Sequence, residues 1–332
     1  MAEPILVTGG AGFIGSHVCK ALAQSGFLPV TLDSLARGFK ENVRFGPLEV
    51  GDVRDRIFVE EVIKRYQPTA VLHFAAVINV GESVENPELY YNNNTLGTLT
   101  LATAAKDCGI RDFVFSSTAA VYGSPDSSPL NEDFALAPIN PYGKSKLTSE
   151  NILFDFARAY KMRPIVLRYF NASGADPETE LGESHEPETH LIPLILQSQL
   201  YPKQKDRSLK VFGTDYPTPD GTCVRDYIHV TDLAQAHVLA LKGLRAGVSP
   251  QPFNLGNSRG FSVLEVISTA EQITGQSIPY QVTDRRPGDP PALVADSTRA
   301  RKLLSWTPQH SDLKTIIETT WKWENKKRGA KK

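Results

Sequence analysis

Short apolar runs alternate along the chain with longer segments in which apolar residues recur every three or four positions. The short runs predict strands at residues 5–8, 30–33, 47–50, 71–76, 113–117 and 165–170. The longer segments predict helices at residues 13–22, 59–65, 96–108, 144–160, 263–274 and 313–323. We expect Ser262 to cap the helix that follows it, and Trp321 to lie on the apolar face of the last helix. Strand–helix alternation is typical of an α/β fold with a parallel, doubly wound sheet and helices on both faces.

The first run ends in a loop that carries three glycines, Gly9, Gly12 and Gly15. A strand that breaks at glycines and restarts as a helix directs free backbone N–H groups at one point, where a pyrophosphate can approach. The second run ends at Asp33, whose carboxylate suits the ribose hydroxyls of NAD and repels the extra phosphate of NADP. Asp52 follows the third run, where we expect it to meet the adenine. NADP stays an alternative because Arg37 lies close enough to serve that phosphate. The sequence therefore predicts a Rossmann-type dinucleotide site.

The chain changes character after Asn171, where Gly, Pro, Asp and Thr become more frequent. We expect residues 1–172 to form the Rossmann domain, with segments around 224–260 returning to it. Residues 173–328 are expected to form mainly a smaller α+β lobe that binds the substrate, and residues 329–332 a basic tail.

Composition narrows the class of partner. The 332 residues carry 36 Lys and Arg against 37 Asp and Glu, so no overall charge favours nucleic acid or a membrane surface. The three cysteines are far apart, which predicts no metal-type pairing and a reducing, cytoplasmic setting. The longest apolar stretch is interrupted by His73 and Asn79 and is too short to span a bilayer.

Tyr142 and Lys146 are four residues apart at the start of a predicted helix, which places both side chains on one face. A phenol has a pKa near 10 and becomes a base at neutral pH only if the phenolate is stabilised. A lysine ammonium and a cationic nicotinamide in a partly dry cleft supply that stabilisation. Thr118, at the end of a predicted strand, can share the same substrate oxygen. This set predicts proton abstraction from a substrate hydroxyl while hydride passes to NAD⁺.

Seven motifs carry a resemblance to a known family, at residues 8–15, 73–76, 80–83, 115–123, 141–146, 167–171 and 221–230. The chain resembles the extended short-chain dehydrogenase/reductases and, within them, the UDP-glucose 4-epimerases. The resemblance implies an isomerase with bound NAD that interconverts UDP-galactose and UDP-glucose through transient oxidation at C4. UDP-xylose/UDP-arabinose and UDP-GlcNAc 4-epimerases stay open as alternatives, because they share the catalytic groups.

The resemblance also implies site residues. The catalytic residues would be Tyr142, Lys146 and Thr118. The NAD-binding residues would be Gly9, Gly12, Phe13, Ile14, Gly15, Asp33, Asp52, Val53, Phe74, Ala75, Ala76, Asn94, Ser116, Tyr142, Lys146 and Tyr169. The substrate-binding residues would be Thr118, Tyr142, Asn171, His190, Leu191, Phe212, Arg225, Arg286, Asp289 and Leu293. Two guanidinium groups suit a diphosphate, and an aromatic ring suits uracil.

Four positions depart from the family pattern. Ile78 stands where many relatives carry Lys, Thr118 where many carry Ser, and His190 where others carry Asn. Leu293 occupies a position where Tyr is associated with a tight sugar pocket and smaller residues with N-acetylated sugars.

Other activities fit less well. A dehydratase needs an extra acid and base directly after Thr118, where this chain has Ala119 and Ala120. A zinc hydrolase is disfavoured because a helix would splay His185 and His190 by about 140°, so no metal is expected. A dinucleotide-sensing regulatory protein is the non-enzymatic alternative.

The oligomeric state follows by analogy alone. Relatives dimerise through two long helices, which match residues 96–108 and 144–160 here. Leu99, Leu147 and Phe154 would line that seam, although packing within the monomer explains them equally. We therefore expect a homodimer.

Overall fold

The structure is a computed structural model, and it describes residues 2–201, 209–286 and 289–330. The strands are β1 (Glu3–Thr8), β2 (Phe27–Asp33), β3 (Leu48–Val50), β4 (Ala70–His73), β5 (Asp112–Thr118), β6 (Arg163–Tyr169), β7 (Asn171–Ser173), β8 (Leu209–Phe212), β9 (Val224–His229), β10 (Gln251–Leu255), β11 (Gly260–Ser262), β12 (Tyr280–Thr283) and β13 (Ala292–Leu293). The helices are α1 (Phe13–Gln24), α2 (Arg56–Tyr66), α3 (Val80–Glu85), α4 (Pro87–Tyr90), α5 (Gly97–Asp107), α6 (Pro141–Tyr160), α7 (Leu191–Leu200), α8 (Val230–Arg245), α9 (Val263–Thr274), α10 (Thr298–Leu304) and α11 (Leu313–Ala330).

The predicted parallel sheet is confirmed. Seven strands lie in the order β10-β6-β5-β4-β1-β2-β3, and every neighbouring pair in this sheet is parallel. Apolar cores pack on its two faces, one around α1 and α8 and the other around α2 and α5. The strand order reverses at β1, so the loop after β1 opens at the point where ligands of such sheets bind.

The smaller lobe is built from short pieces. Strands β11, β9 and β13 form a second sheet that β7 extends, and β12 pairs with β8. Helices α7, α9 and α11 cover a separate core that includes Ile195, Ile267 and Ile317. Strand β10, from the segment expected to return, pairs with β6 in the large sheet, whereas β9 belongs to the smaller one. The boundary between the lobes stays a prediction.

Several element ends differ from the sequence expectation. Helix α6 begins at Pro141, behind Asn140, whose side chain accepts a hydrogen bond from the backbone of Gly143. A π-helical turn at residues 91–96 precedes α5. Ser262 caps α9 as expected, in a capping box with Glu265. Helix α11 runs to Ala330, beyond the predicted end, and the last two residues of the expected basic tail lie outside the described residues.

Within residues 2–201, 209–286 and 289–330, none of the helices combines the length and apolar character of a membrane span.

Candidate active site

In the glycine loop, backbone atoms of neighbouring residues occupy the space that side chains would fill. Gly9 has a φ of +74°, and a Cβ there would lie 2.5 Å from the backbone nitrogen of Ala75. A Cβ on Gly15 would lie 2.2 Å from the carbonyl oxygen of Gly9. Gly12 is the N-cap of α1, and in the described chain neither a capping side chain nor a first-turn acid occupies the amide end of that helix. Its free N–H groups, at Phe13 and Ile14, suit a pyrophosphate.

Asp33 holds this loop in place. Its two carboxylate oxygens accept hydrogen bonds from the backbone of Ala11 (3.0 Å) and of Leu35 (2.9 Å). Burial raises the pKa of Asp33, and the two N–H donors oppose that rise. Arg37, the residue because of which NADP stayed an alternative cofactor, forms an ion pair with Glu82 at 2.7 Å. Because this cation already has a carboxylate partner, the geometry favours NAD over NADP.

Asp52 and Val53 follow β3 on the next side of the groove. Hydrogen bonds from Arg54 lower the pKa of Asp52, and the two side chains form an ion pair at 2.5 Å. Val53 is buried, and its Cγ2 would lie 3.0 Å from a Cβ built on Gly97. This pair therefore bounds the predicted adenine end.

The loop after β4 forms the other wall of the groove. The backbone nitrogens of Phe74 and Ala75 both donate to the carbonyl of Thr8, at 2.8 and 3.1 Å, and Ala76 follows them. The buried amide of Asn94 bonds both the nitrogen and the oxygen of Val77, at 2.9 and 3.0 Å. In this structure Asn94 therefore fixes the wall of the predicted cofactor site.

The reactive residues come together as expected. Tyr142 lies in the first turn of α6, and the hydroxyl of Thr118, the last residue of β5, is hydrogen-bonded to its phenol. Lys146, one turn later, is buried and donates from Nζ to the carbonyl of Ser116 at 2.8 Å. The Ser116 side chain is in turn hydrogen-bonded to the buried Tyr169. The three catalytic candidates therefore line the carboxyl end of the central strands.

The pKa shifts of Tyr142 and Lys146 indicate which charge a cofactor would have to supply. Burial raises the pKa of Tyr142, and the hydrogen bond from Thr118 only partly offsets this. Burial lowers the pKa of Lys146 to about 7, and the carboxylate of Glu150 opposes the change. The protein alone thus favours the neutral phenol. A positively charged nicotinamide in the cleft would favour the phenolate, and the residues around the groove fit such a group.

Sequence reasoning missed a buried network behind Lys146. Arg168 on β6 forms an ion pair with Glu150 on α6 at 2.6 Å, and both side chains are almost fully buried. Ser117 donates to the same carboxylate, and Arg168 donates to the hydroxyl of Tyr122 at 3.0 Å. A signal existed, since Glu150 follows Lys146 by four residues and continues the face of Tyr142 and Lys146.

The predicted substrate residues form two groups. In one, Arg225 lies 3.3 Å from the carboxylate of Asp289 and pairs in register with Leu293. In the other, the guanidinium of Arg286 lies 3.9 Å from the ring centroid of Phe212. These pairings keep the cations and their partners together in the smaller lobe.

The remaining substrate candidates lie at element ends. The amide of Asn171 donates to the carbonyl of Asp226 at 2.9 Å. Leu191 is the first residue of α7, and His190 is its N-cap residue. The imidazole of His190 is held by two carboxylates rather than left open, with Nδ1 2.7 Å from Glu183 and 3.0 Å from Glu188. The substrate role of these residues stays a prediction.

Comparison with known proteins agrees with this geometry. The chain belongs to the NAD dependent epimerase/dehydratase family, which matches residues 5–256. It is 50% identical to a UDP-glucose 4-epimerase of Rhizobium leguminosarum bv. trifolii, over 98% of each chain. A UDP-glucose 4-epimerase of Brucella ovis in complex with NAD is 48% identical and superposes with a TM-score of 0.94, covering 97% of this chain and 98% of the other. One from Stenotrophomonas maltophila, with bound NAD and formylated UDP-arabinopyranose, is 40% identical with a TM-score of 0.94 over 99% of both chains. The predicted resemblance is confirmed.

Proposed function

We propose that this protein is a UDP-glucose 4-epimerase that interconverts UDP-galactose and UDP-glucose. The observation that carries the proposal is the assembly of Tyr142, Thr118 and Lys146 at the end of the central strands, beside the glycine loop. Half-identical relatives with this activity cover nearly the whole chain. The family is NAD dependent, and NAD is the cofactor that the Asp33 site favours.

The residues divide the chemistry between them. The oxygen of Tyr142 takes the proton of the sugar's C4 hydroxyl, and the hydroxyl of Thr118 donates a hydrogen bond to that phenol oxygen. The ammonium form of Lys146, which the carboxylate of Glu150 favours, stabilises the phenolate. NAD, when bound, would supply the hydride acceptor and would give the hydride back to the opposite face of C4, so no cofactor would need to be added.

The sugar must turn over while its nucleotide stays fixed. We place the diphosphate against Arg225 and Arg286, uracil against Phe212, and a ribose hydroxyl against Asp289. Arg225 is well supported for such a role, because its guanidinium is also anchored by the carbonyl oxygens of Val224 and Pro290 at 2.9 Å each. A preorganised guanidinium loses little entropy on binding an anion.

The identity of the sugar is decided elsewhere in the pocket. Leu293 is half-buried and packs against a cluster formed by Val121, Tyr122 and Leu130. Val121 and Tyr122 belong to the turn that follows Thr118. Its size allows UDP-xylose/UDP-arabinose or UDP-GlcNAc as alternative substrates, and one relative was solved with a UDP-arabinopyranose derivative. A dinucleotide sensor has less support, since it needs no assembled Tyr–Thr–Lys group.

The purified protein is expected to interconvert UDP-galactose and UDP-glucose with no NAD in the buffer. UDP-xylose and UDP-GlcNAc are assayed in parallel, and the products are separated chromatographically. Relative rates then rank the sugars. If no UDP-sugar reacts while the protein still releases dinucleotide on denaturation, the sensor alternative replaces the epimerase.

We further propose that the enzyme is a homodimer that pairs α5 and α6 of each copy. Leu147 and Phe154 pack partly within the monomer, but Leu99 on α5 is 39% exposed and Leu96, just before it, 46%. The monomer leaves these two apolar side chains exposed to solvent, and a second copy of the chain would bury them.

All three cysteines are free thiols, which suits a cytoplasmic location.

A Leu99→Arg variant is expected to dissociate, with the dimer constant weakened roughly tenfold or more, because a charge would be buried without a partner. Sedimentation velocity at micromolar concentration measures the mass. Ile57→Arg is the matched control, since Ile57 is more exposed but lies on α2. A wild-type monomer, or equal behaviour of the two variants, would rule out this interface.

A further inference from the structure

Four metal-type ligands converge in the loop before α7. The carboxylates of Glu183 and Glu188 and the imidazoles of His185 and His190 each place a ligand atom within 4.8 Å of the others. Glu183 is the centre of the group, with Oε1 2.8 Å from Nδ1 of His185 and 2.7 Å from Nδ1 of His190. Nδ1 of His190 is also 3.0 Å from Glu188.

We propose that Glu183, His185, Glu188 and His190 bind a divalent transition metal, with Zn²⁺ as the best match. Two imidazoles and two carboxylates are ligands that Zn²⁺ accepts, at bond lengths near 2.0–2.2 Å. A tetrahedral arrangement with such bonds separates its ligand atoms by about 3.3 Å. The three separations given above, 2.7, 2.8 and 3.0 Å, are shorter than that value, so the side chains would have to move slightly apart to admit the ion.

A neighbouring cluster shows what a carboxylate group looks like when the chain supplies its own cation. Asp176, Glu178 and Glu180 surround the ammonium of Lys20, at 2.9, 2.6 and 2.9 Å. Glu183 differs, because its ion-pair partners among the described residues are the two histidines. Burial lowers the pKa of His190, but the carboxylates of Glu183 and Glu188 raise it to about 10, so Zn²⁺ would have to displace a proton from this imidazole. An imidazole that loses its proton becomes a metal ligand, whereas the ammonium of Lys20 stays a counter-ion.

The loop is anchored on both sides, so the ligands are preorganised. The backbone carbonyl of Glu183 accepts hydrogen bonds from Trp323 (2.9 Å) and Lys327 (3.1 Å) on α11. The ring of His185 packs edge-on against Phe13, at 6.3 Å between centroids. Rigid support of this kind is what metal ligands need to keep their geometry.

The spacing argument against a metal assumed helical geometry, and the structure contains no helix at residues 185–190. In an irregular loop, the five-residue separation of His185 and His190 brings both rings to one carboxylate. Four protein ligands leave no open position, so the site is structural and not hydrolytic. The metal would fix the conformation of the loop that presents His190 and Leu191. Coordination through Nδ1 leaves Nε2 of His190 for the substrate.

Metal content tests the proposal directly. The full-length protein is stripped with a chelator, incubated with a small excess of Zn²⁺ or Co²⁺ and freed of unbound metal by gel filtration. Elemental analysis is expected to find about one Zn²⁺ per chain, and the Co²⁺ form is expected to show the visible absorption of four-coordinate Co²⁺. No uptake, or the absorption of fully hydrated six-coordinate Co²⁺, would overturn the site.

Variants then assign the ligands. Even outer-shell partners contribute 10–100-fold to metal affinity, so Glu188→Gln or His185→Asn is expected to weaken Zn²⁺ binding by at least about tenfold. Glu178→Gln is the matched control, because that exposed acid belongs to the Lys20 cluster. Circular dichroism and retained dinucleotide verify folding. Equal Zn²⁺ affinity of Glu178→Gln and Glu188→Gln would show adventitious binding and refute the proposal.

Discussion

A Tyr142→Phe variant is expected to retain its fold and its cofactor but to turn over UDP-galactose about 10²–10⁴ times more slowly than the wild type. The phenol oxygen is the group that accepts the substrate proton, and Thr118 and Lys146 are arranged around it. Phenylalanine keeps the ring, which packs edge-on against Tyr90 at 6.3 Å between centroids. The loss should therefore fall on kcat with little change in KM.

Steady-state kinetics on both variants separates this effect from a general loss of structure. Tyr160→Phe is the matched control, because Tyr160 ends the same helix and is exposed. It is expected to keep wild-type turnover. Bound dinucleotide is quantified after denaturation in each preparation. A Tyr142→Phe enzyme with wild-type kcat would show that another group moves the proton.

The sequence was sufficient where chemistry depends on neighbours along the chain. The roles of Gly9, Gly12 and Gly15 follow from one turn and the helix after it. Those of Tyr142 and Lys146 follow from their position on one face of a helix. The capping role of Ser262 is equally local. Such contacts are set by 3.6-residue periodicity and backbone conformation, which a single segment specifies.

The parts that escaped prediction depend on contacts between distant segments. The amide of Asn94, which lies in a π-helical turn, bonds Val77 in the loop after β4. The histidines of residues 185–190 meet at Glu183 through an irregular loop, which no periodicity describes. Arg168 reaches Glu150 because β6 lies beside β5 under α6. Sheet order decides such pairings, and one segment alone does not encode it.

That buried pair links the fold to the site. Glu150 accepts from Arg168 and Ser117, and its carboxylate favours the charged form of Lys146 one turn earlier. Arg168 also joins Tyr122, whose hydroxyl donates to Asn254 at 2.7 Å on β10. The network thus connects α6, β5, β6 and β10 behind the reactive residues.

An Arg168→Met variant is expected to lose about 3–5 kcal/mol of unfolding free energy, because it leaves the carboxylate of Glu150 buried without its cation. Urea unfolding, followed by circular dichroism on dinucleotide-loaded protein, measures the loss. Arg158→Met is the control, since Arg158 pairs with Asp155 on the exposed side of α6 and is expected to cost no more than about 1 kcal/mol.

The double variant Glu150→Gln/Arg168→Met separates the cost of an orphaned charge from the loss of packing. Removing the carboxylate together with the guanidinium leaves no unpaired ion, so a substantial part of the stability should return. If the double variant is as unstable as the sum of the two single variants, packing around Arg168 accounts for the loss. If the double variant regains stability but still turns over slowly, the negative charge of Glu150 beside Lys146 is needed for catalysis.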